Sequence, residues 1–520
     1  MQPGTLTDID NLLMSLGNEE DLEVEPKSAP PMTSEEPQET PSTSNEKPEE
    51  NPEESPAPNE ESKEAEATEK THAEKIEEAR RLPKVSDAVA KLTGETSIRR
   101  LNMNNGVFMP LSPESLNDAG LSLSEVMNLI LKFLYNRGVE TGYKTALQVG
   151  LKFPLVEGIL RQLKIERLAA YKNSIAGGDY LYELTELGRD RARTLSVQST
   201  YFGTAPVPLD QYIASVNAQT LAGRKPSLKA IRRAFSDLDI SDRMISNIGQ
   251  AIHSGRGMFL YGAPGNGKTS MAERVTKSFG DTIWIPRSIV ASGEIIRLFD
   301  PNRHRPIEGD SDHDQEVDGR WVQIERPTIV SGGELTMEDL EITYIRKTGV
   351  GEAPLQLKSN CGTLLIDDFG RQRMSTDELL NRWIVPLEQR IDFLHMESGR
   401  TIQVPFDQLI IFSSNLEPRD LVDDAFLRRI PYKIEVKDAS EVEFRNLFIK
   451  MAKKARFECS HETVDYLIQH HYVGANRPFR FCHPRDLLRQ VENRCTLHNL
   501  PHEITKSAID QAVENYFSIM

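Results

Sequence analysis

Eight consecutive residues, Gly262 to Thr269 (GAPGNGKT), stand between the apolar run MFLY and the helix-forming SMAERVTKSF. Their spacing fits G-x-x-x-x-G-K-S/T with a strand before it and a helix after it. Glycine frees backbone N–H groups to close around phosphate oxygens, and the helix N-terminus adds the positive end of its dipole. Lys268 is then placed for the β- and γ-phosphates of ATP, and the Thr269 hydroxyl for Mg²⁺. Gly262, Ala263, Pro264, Gly265, Asn266, Gly267, Lys268, Thr269 and Ser270 form the expected nucleotide-binding set.

A second apolar run, Gly362-Thr-Leu-Leu-Ile, ends in Asp367 and Asp368. Two carboxylates at the end of a buried strand suit a metal-and-water site: Asp367 on the Mg²⁺ side and Asp368 polarising the attacking water. Asp368 is one methylene shorter than the Glu that such sites more often carry. A third run, QLIIFSSNLEP, gives a strand over Leu409 to Phe412 and then Ser413, Ser414 and Asn415. An amide there can sit between a γ-phosphate and the catalytic water. Arg428 and Arg429 follow in DDAFLRRIPYKIEV, and Arg485 opens a helix in HPRDLLRQV.

Strand, glycine loop, acidic strand end, Asn-tipped strand, Arg pair and late Arg occur in an order that resembles the AAA+ ATPases, from about Pro226 to Met520. The resemblance implies that Asn415 is sensor 1 and that Arg429 is the arginine finger, with Arg428 as its rival. It also implies that Arg485 is sensor 2 on a C-terminal lid and that LDISDRMISNIGQAIHSG packs over adenine. A finger acting on a neighbour's site implies a homo-oligomer, a ring of the hexamer type. LLNRWIVPLEQR, followed by a hairpin turning at Glu397-Ser398-Gly399, is similar to MoxR-type chaperone ATPases and to enhancer-binding transcription activators, whose loop carries a GAFTGA-type motif. IDDFG is closer to the LIDD strands of replication initiators and helicase loaders, and no GAFTGA-type loop is present.

The elements that must position these residues alternate between β and α from about Pro226, the signature of a parallel sheet covered by helices. Ninety-nine positions separate Lys268 from Asp367. That is more than one strand and helix need, so an insertion of β-hairpins is expected. Upstream, Ser122–Gly138 reads as a capped amphipathic helix and TGYKTALQVGL as a second, short helix. Lys152–Ala169 reads as a third, with Pro154 in its first turn. A strand, a Gly-Gly turn, another strand and a last helix follow, which is the order of a winged helix-turn-helix module. Leu121–Ser196 carries 11 bases against 8 acids. Its presumed recognition helix would expose Lys152, Arg161, Lys164 and Arg167 beside Glu157 and Glu166, a weak positive face for duplex DNA. Pro206 and Pro208 argue for an extended linker.

Residues 1–80 hold 23 acids and 6 bases, while the remaining 440 balance 56 acids with 56 bases. The acidity therefore belongs to a Pro/Glu/Ser/Thr tail that cannot bury enough surface to order itself. Within it, Ile9, Leu12, Leu13 and Leu16 share one helical face over Thr5–Gly17. Cys361, Cys459, Cys482 and Cys495 have neither disulfide nor zinc-clasp spacing. No run is long and apolar enough to span a membrane, and no secretory leader opens the chain, so a cytoplasmic protein is expected.

The expected organisation is a disordered acidic tail (1–90), a winged-helix domain (91–200), a linker (201–225), an α/β AAA+ nucleotide-binding domain with β-hairpin insertions (226–437) and a helical lid (438–520). Three activities fit it. The first is an ATP-hydrolysing remodeller of a protein substrate; the second is a DNA-directed ATPase using the winged helix on duplex DNA; the third is a nucleotide-gated switch with negligible turnover.

Overall fold

The structure is a computed structural model. It describes residues 101–518 except 105–106, 176–177, 239, 281, 308–315 and 346–347. The acidic tail and the Thr5–Gly17 helix lie outside the described residues.

Helix α1 (Leu123–Arg137) begins in a capping box, in which the Glu125 N–H donates to Ser122 Oγ at 3.3 Å and the Ser122 N–H to Glu125 Oε2 at 2.7 Å. It is followed by β1 (Val139–Thr141), α2 (Gly142–Val149) and α3 (Phe153–Ile165). Then come β2 (Ala169–Ser174), β3 (Tyr180–Leu184) and α4 (Glu186–Gln198). The strands form an antiparallel sheet in the order β1-β3-β2, and the helices pack around Ile130, Leu134 and Leu160.

Helix α3 stops at Ile165, short of the expected Ala169. Arg167 adopts φ 60° there, which breaks the helix and turns Leu168 into the core. Arg167 is therefore not on the helix. The linker is also not extended throughout. Val207–Pro208 pairs parallel with Ile289–Val290, and the next helix, α5 (Leu209–Gln219), buries Tyr212 and Val216. Tyr212 and Val216 are four residues apart and share one face, and that spacing overrides the proline signal.

Helix α6 (Asp242–Ser254) leads into β4 (Met258–Tyr261), and α7 (Lys268–Lys277) follows the glycine loop. Residues 282–352 form the expected insertion. Thr282–Pro286 pairs antiparallel with Trp321–Glu325, and Ser288–Ala291, Glu294–Arg297, Thr343–Ile345 and Val350–Glu352 build a second small sheet. Inside this stretch, β5 (Thr328–Ser331) belongs to the main sheet.

The main sheet is completed by β6 (Thr363–Ile366), and after it come α8 (Thr376–Gln389) and the hairpin β7 (Ile391–His395) and β8 (Thr401–Pro405). Next are β9 (Leu409–Ser414), α9 (Asp424–Arg429) and β10 (Tyr432–Glu435). The five strands run in the order β5-β6-β9-β4-β10, all neighbours parallel. Alternate residues face opposite cores. Leu364, Ile410 and Phe412 meet Trp383 of α8, whereas Leu365, Ile411 and Leu260 meet Val275 of α7 and Ile248 of α6. Burial on both faces explains why these strands read as continuous apolar runs.

The C-terminal part is helical: α10 (Glu441–Lys454), α11 (His461–Tyr466) continued by a wider turn over 467–473, α12 (His483–His498) and α13 (Lys506–Phe517). Among the described residues no helix is long and apolar enough to cross a membrane.

The N-terminal unit is seated directly on the insertion. A Cβ added at Gly150 would lie 2.8 Å from the Gly319 carbonyl carbon, so the two backbones touch. Beside them the buried Arg320–Asp318 pair donates a further bond from Arg320 to Ala119 O at 2.8 Å.

Candidate nucleotide site

In a parallel sheet, loops leaving the C-terminal strand ends gather at one edge. Here the loops after β4, β6 and β9 bring the glycine loop, Asp367–Asp368 and Asn415 together. Gly267, at φ 81°, caps α7 with no side chain, so the first N–H groups of the helix are not capped by one. Lys268 is 7% exposed, and its Nζ donates to Gly262 O (2.8 Å), Ala263 O (3.1 Å) and Asn415 Oδ1 (2.7 Å). Burial lowers its pKa, opposed by the nearby charges of Asp367 and Asp368. Thr269 Oγ1 donates to Asp367 Oδ2 at 2.7 Å, and Asn415 Nδ2 to Asp368 Oδ1 at 3.3 Å.

Asp368 has φ 47°. Asp and Asn tolerate this left-handed region better than Glu does, because their short polar side chains bond locally. The Asp368 N–H donates to Asp367 Oδ1, and Gln372 Nε2 donates to the carbonyls of both acids. The shorter acid thus matches a tight turn that points its carboxylate at Asn415.

The rest of the glycine loop is held from behind. Asn266 is 2% exposed, and its Nδ2 donates to Asp438 Oδ1 at 2.7 Å. Its side chain faces the start of the C-terminal helices. Gly262 has φ 135°, and a Cβ there would meet Val436 O at 2.4 Å; one at Gly265 would meet Cys482 Sγ at 2.4 Å. Arg480 donates to Pro264 O at 3.0 Å, and its charge acts on Lys268. Arg485, on the first turn of α12, pairs with Asp486 at 2.8 Å with its side chain 69% exposed. Sequence reasoning missed Arg480, Cys482 and Asp438, which lie 170 to more than 200 positions from the loop they touch. The one available signal, for Arg480 and Cys482, was the Arg-x-Cys-His-Pro-Arg run that leads into α12.

Arg429 Nε bonds Glu388 Oε1 at 2.7 Å across to α8, and Arg428 neighbours it at the end of α9. Both line a cleft with Gly255, Arg256 and Gln408, residues that precede the strands rather than follow them.

His483 packs within the C-terminal helices, next to Cys482. Its Nδ1 shares a 3.0 Å hydrogen bond with Tyr472 Oη, and burial, with Arg480 nearby, pushes its pKa from 6.5 down to about 4. The folded chain therefore keeps this imidazole neutral. Between pH 6.5 and 4 the unfolded chain takes up a proton that the folded chain refuses, so stability falls as pH falls through that window. At ~1.4 kcal/mol per pKa unit the loss reaches up to about 3 kcal/mol. Thermal unfolding of full-length chain across this range should show the slope, and His483→Gln should flatten it; an unchanged slope assigns it to other groups.

A family profile described as "Domain of unknown function (DUF8689)" matches residues 440–515, the C-terminal helices. No curated protein matches the chain. Among solved structures the chain is similar to the RuvB Holliday junction branch migration motor of Thermotoga maritima, at 13% identity and TM-score 0.32, covering 55% of this chain and 73% of that one. A point mutant of the same RuvB aligns at 11% identity and TM-score 0.31, over 58% and 74%. NtrX from Brucella abortus in complex with ATP aligns at 12% identity and TM-score 0.34, over 55% and 61%.

Proposed function

We propose that this chain is an AAA+ ATPase of MoxR-like character. It binds ATP with Mg²⁺ at Gly262–Ser270, hydrolyses it as a homo-oligomeric ring, and uses the turnover to remodel a protein partner. One observation carries the reading: Lys268, Asn415 and Asp368 form a continuous chain of hydrogen bonds across three neighbouring strand ends, with Thr269 and Asp367 bonded beside it. Two carboxylates, a hydroxyl, an amide and a buried ammonium converge there at the N-terminus of α7.

These groups fit a magnesium–triphosphate. Thr269 and Asp367 offer the hard oxygen donors that Mg²⁺ takes, and the ion would offset phosphate charge there. Lys268 would exchange its bonds to Gly262 O and Ala263 O for phosphate oxygens. Asn415, already between Lys268 and Asp368, orients the water that Asp368 polarises. Arg429 completes the site of the next subunit, with Arg428 as its rival, and Arg485 and Arg480 report from the lid side.

The α1–α4 unit has the element order of a winged helix, and we assign it to partner selection. Duplex DNA is the weaker alternative. Lys152 pairs with Glu114, Arg161 with Glu157, and the Lys164 ammonium lies 3.6 Å from the Tyr171 ring centroid, so the presumed reading face is already engaged within the chain.

The test is phosphate release by full-length protein, with and without duplex DNA, beside Asp368→Asn. The variant should keep ATP binding and lose turnover by about 10²-fold or more, the size of a general-base contribution. Tight ATP binding with no turnover in the unmodified chain would favour the nucleotide-gated switch. Turnover that rises only with DNA would favour the DNA-directed reading.

A further inference from the structure

The edge of the main sheet opposite the glycine loop holds a second concentration of charge. Arg256 precedes β4, Arg326 precedes β5, and Asp407 and Gln408 precede β9. Strands of four to six residues at ~3.3 Å per residue hold this edge about 13–20 Å from the glycine loop. A cleft of about 780 Å³ opens there, and Arg224, Arg256, Arg390, Arg428 and Arg429 line it. Two carboxylates share it, both already engaged. Asp407 accepts from Thr220 Oγ1 (2.7 Å) and the Leu221 N–H (2.9 Å), and Glu388 pairs with Arg429.

Arg390 is held in place at φ 61°, donating to Gln408 O at 3.0 Å and to Gly255 O. Those partners are neutral carbonyls; the Asp407 charge acts on Arg390, and the like charge of Arg256 opposes it. Behind the cleft, Arg326 is 6% exposed. It donates from one terminal nitrogen to Cys361 O, while its Nε and other terminal nitrogen have no hydrogen-bond partner among the described residues. Arg224 and Asp407 both act on its charge. A buried guanidinium without full pairing is costly, and crowded like charges around an open cleft are relieved by a multiply charged anion. Arginine forks match phosphate oxygens better than a single carboxylate, and the volume suits a ligand of nucleotide size.

We propose that this cleft is a second anion site, separate from the glycine loop, that takes a di- or triphosphate group through Arg224, Arg256 and Arg390. The phosphate group comes free from solution, and this site is distinct from the role in a neighbour's nucleotide site proposed above for Arg429. The proposal does not require that this chain's own glycine loop work, and the test exploits that.

Full-length Lys268→Ala, whose own loop is disabled, is titrated with inorganic pyrophosphate in EDTA by calorimetry. Saturable binding that weakens about tenfold or more in Arg224→Gln or Arg256→Gln, and returns in Arg256→Lys, supports the proposal. Absence of that binding, together with ATP-dependent co-sedimentation of Lys268→Ala with the unmodified chain that Arg256→Gln abolishes, assigns these arginines to the contact between copies and overturns the proposal. Neither signal, or signals untouched by Arg224→Gln and Arg256→Gln, overturns the proposal. A functional glycine loop in the unmodified chain, read separately by ATP binding, neither rescues nor sinks it.

Discussion

Replacing Lys268 by Ala is expected to weaken ATP binding at least a hundredfold, a loss of about 2.7 kcal/mol or more. The ammonium is buried, and its three bonds converge on the mouth of the glycine loop and on Asn415. Phosphate oxygens replacing the two carbonyls would make charge-assisted bonds, roughly twice as strong as neutral ones. Truncation leaves that anion facing only the backbone N–H groups of α7. Equilibrium binding of a fluorescent ATP analogue reads the change directly, and a loss below about fivefold would remove Lys268 from the phosphate site. The fold should survive, because Lys268 holds only carbonyls and an amide that water can also reach once the side chain is gone.

Replacing Arg429 by Ala is expected to leave ATP binding intact while turnover falls about 10³-fold or more, the scale on which a guanidinium supplied in trans acts. The structural cost is small, since the Arg429–Glu388 pair is partly solvated (26% and 51% exposed side chains) and such pairs contribute little. Lost turnover with an unchanged melting temperature therefore separates catalysis from packing. Mixing Arg429→Ala chains with Lys268→Ala chains sharpens the result. If the guanidinium acts on the neighbour's site, activity partly returns in mixed assemblies, because some interfaces join an intact loop to an intact arginine. Undiminished turnover in Arg429→Ala alone would move the role to Arg428.

The glycine loop and its flanking strand and helix were legible because every cue is local. Glycines, Lys268 and Thr269 sit within eight residues, and the apolar runs on either side carry the element types. The parallel sheet was legible for a related reason: strands buried on both faces leave uninterrupted hydrophobic stretches. The expected hairpin is present too, with His395 opposite Thr401 and Glu397–Gly399 at its tip.

The reach between distant segments was not legible. Nothing in the order of residues says that Asp438 meets Asn266 or that Arg480 meets Pro264. Asp368 shows a different gap. Read as a shortened Glu it looked like a carboxylate set back from its place, whereas its left-handed backbone makes the short side chain the one that fits. The misjudged stretch after Ser196 followed from weighting two prolines above LDQYIASVNAQ, whose apolar spacing is helical.

Gly150 against Gly319, with Arg320 and Asp318 sealed beside them, has a mechanical meaning. Two backbones in van der Waals contact leave no room for a swivel, and a Cβ on either side would pry them apart. A load applied to the α1–α4 unit is thus transmitted straight into the insertion and on to the sheet instead of being absorbed by a slack tether. On its other side the glycine loop meets the C-terminal helices through the single hydrogen bonds Asn266–Asp438 and Arg480–Pro264 and the close approach of Gly265 to Cys482 Sγ.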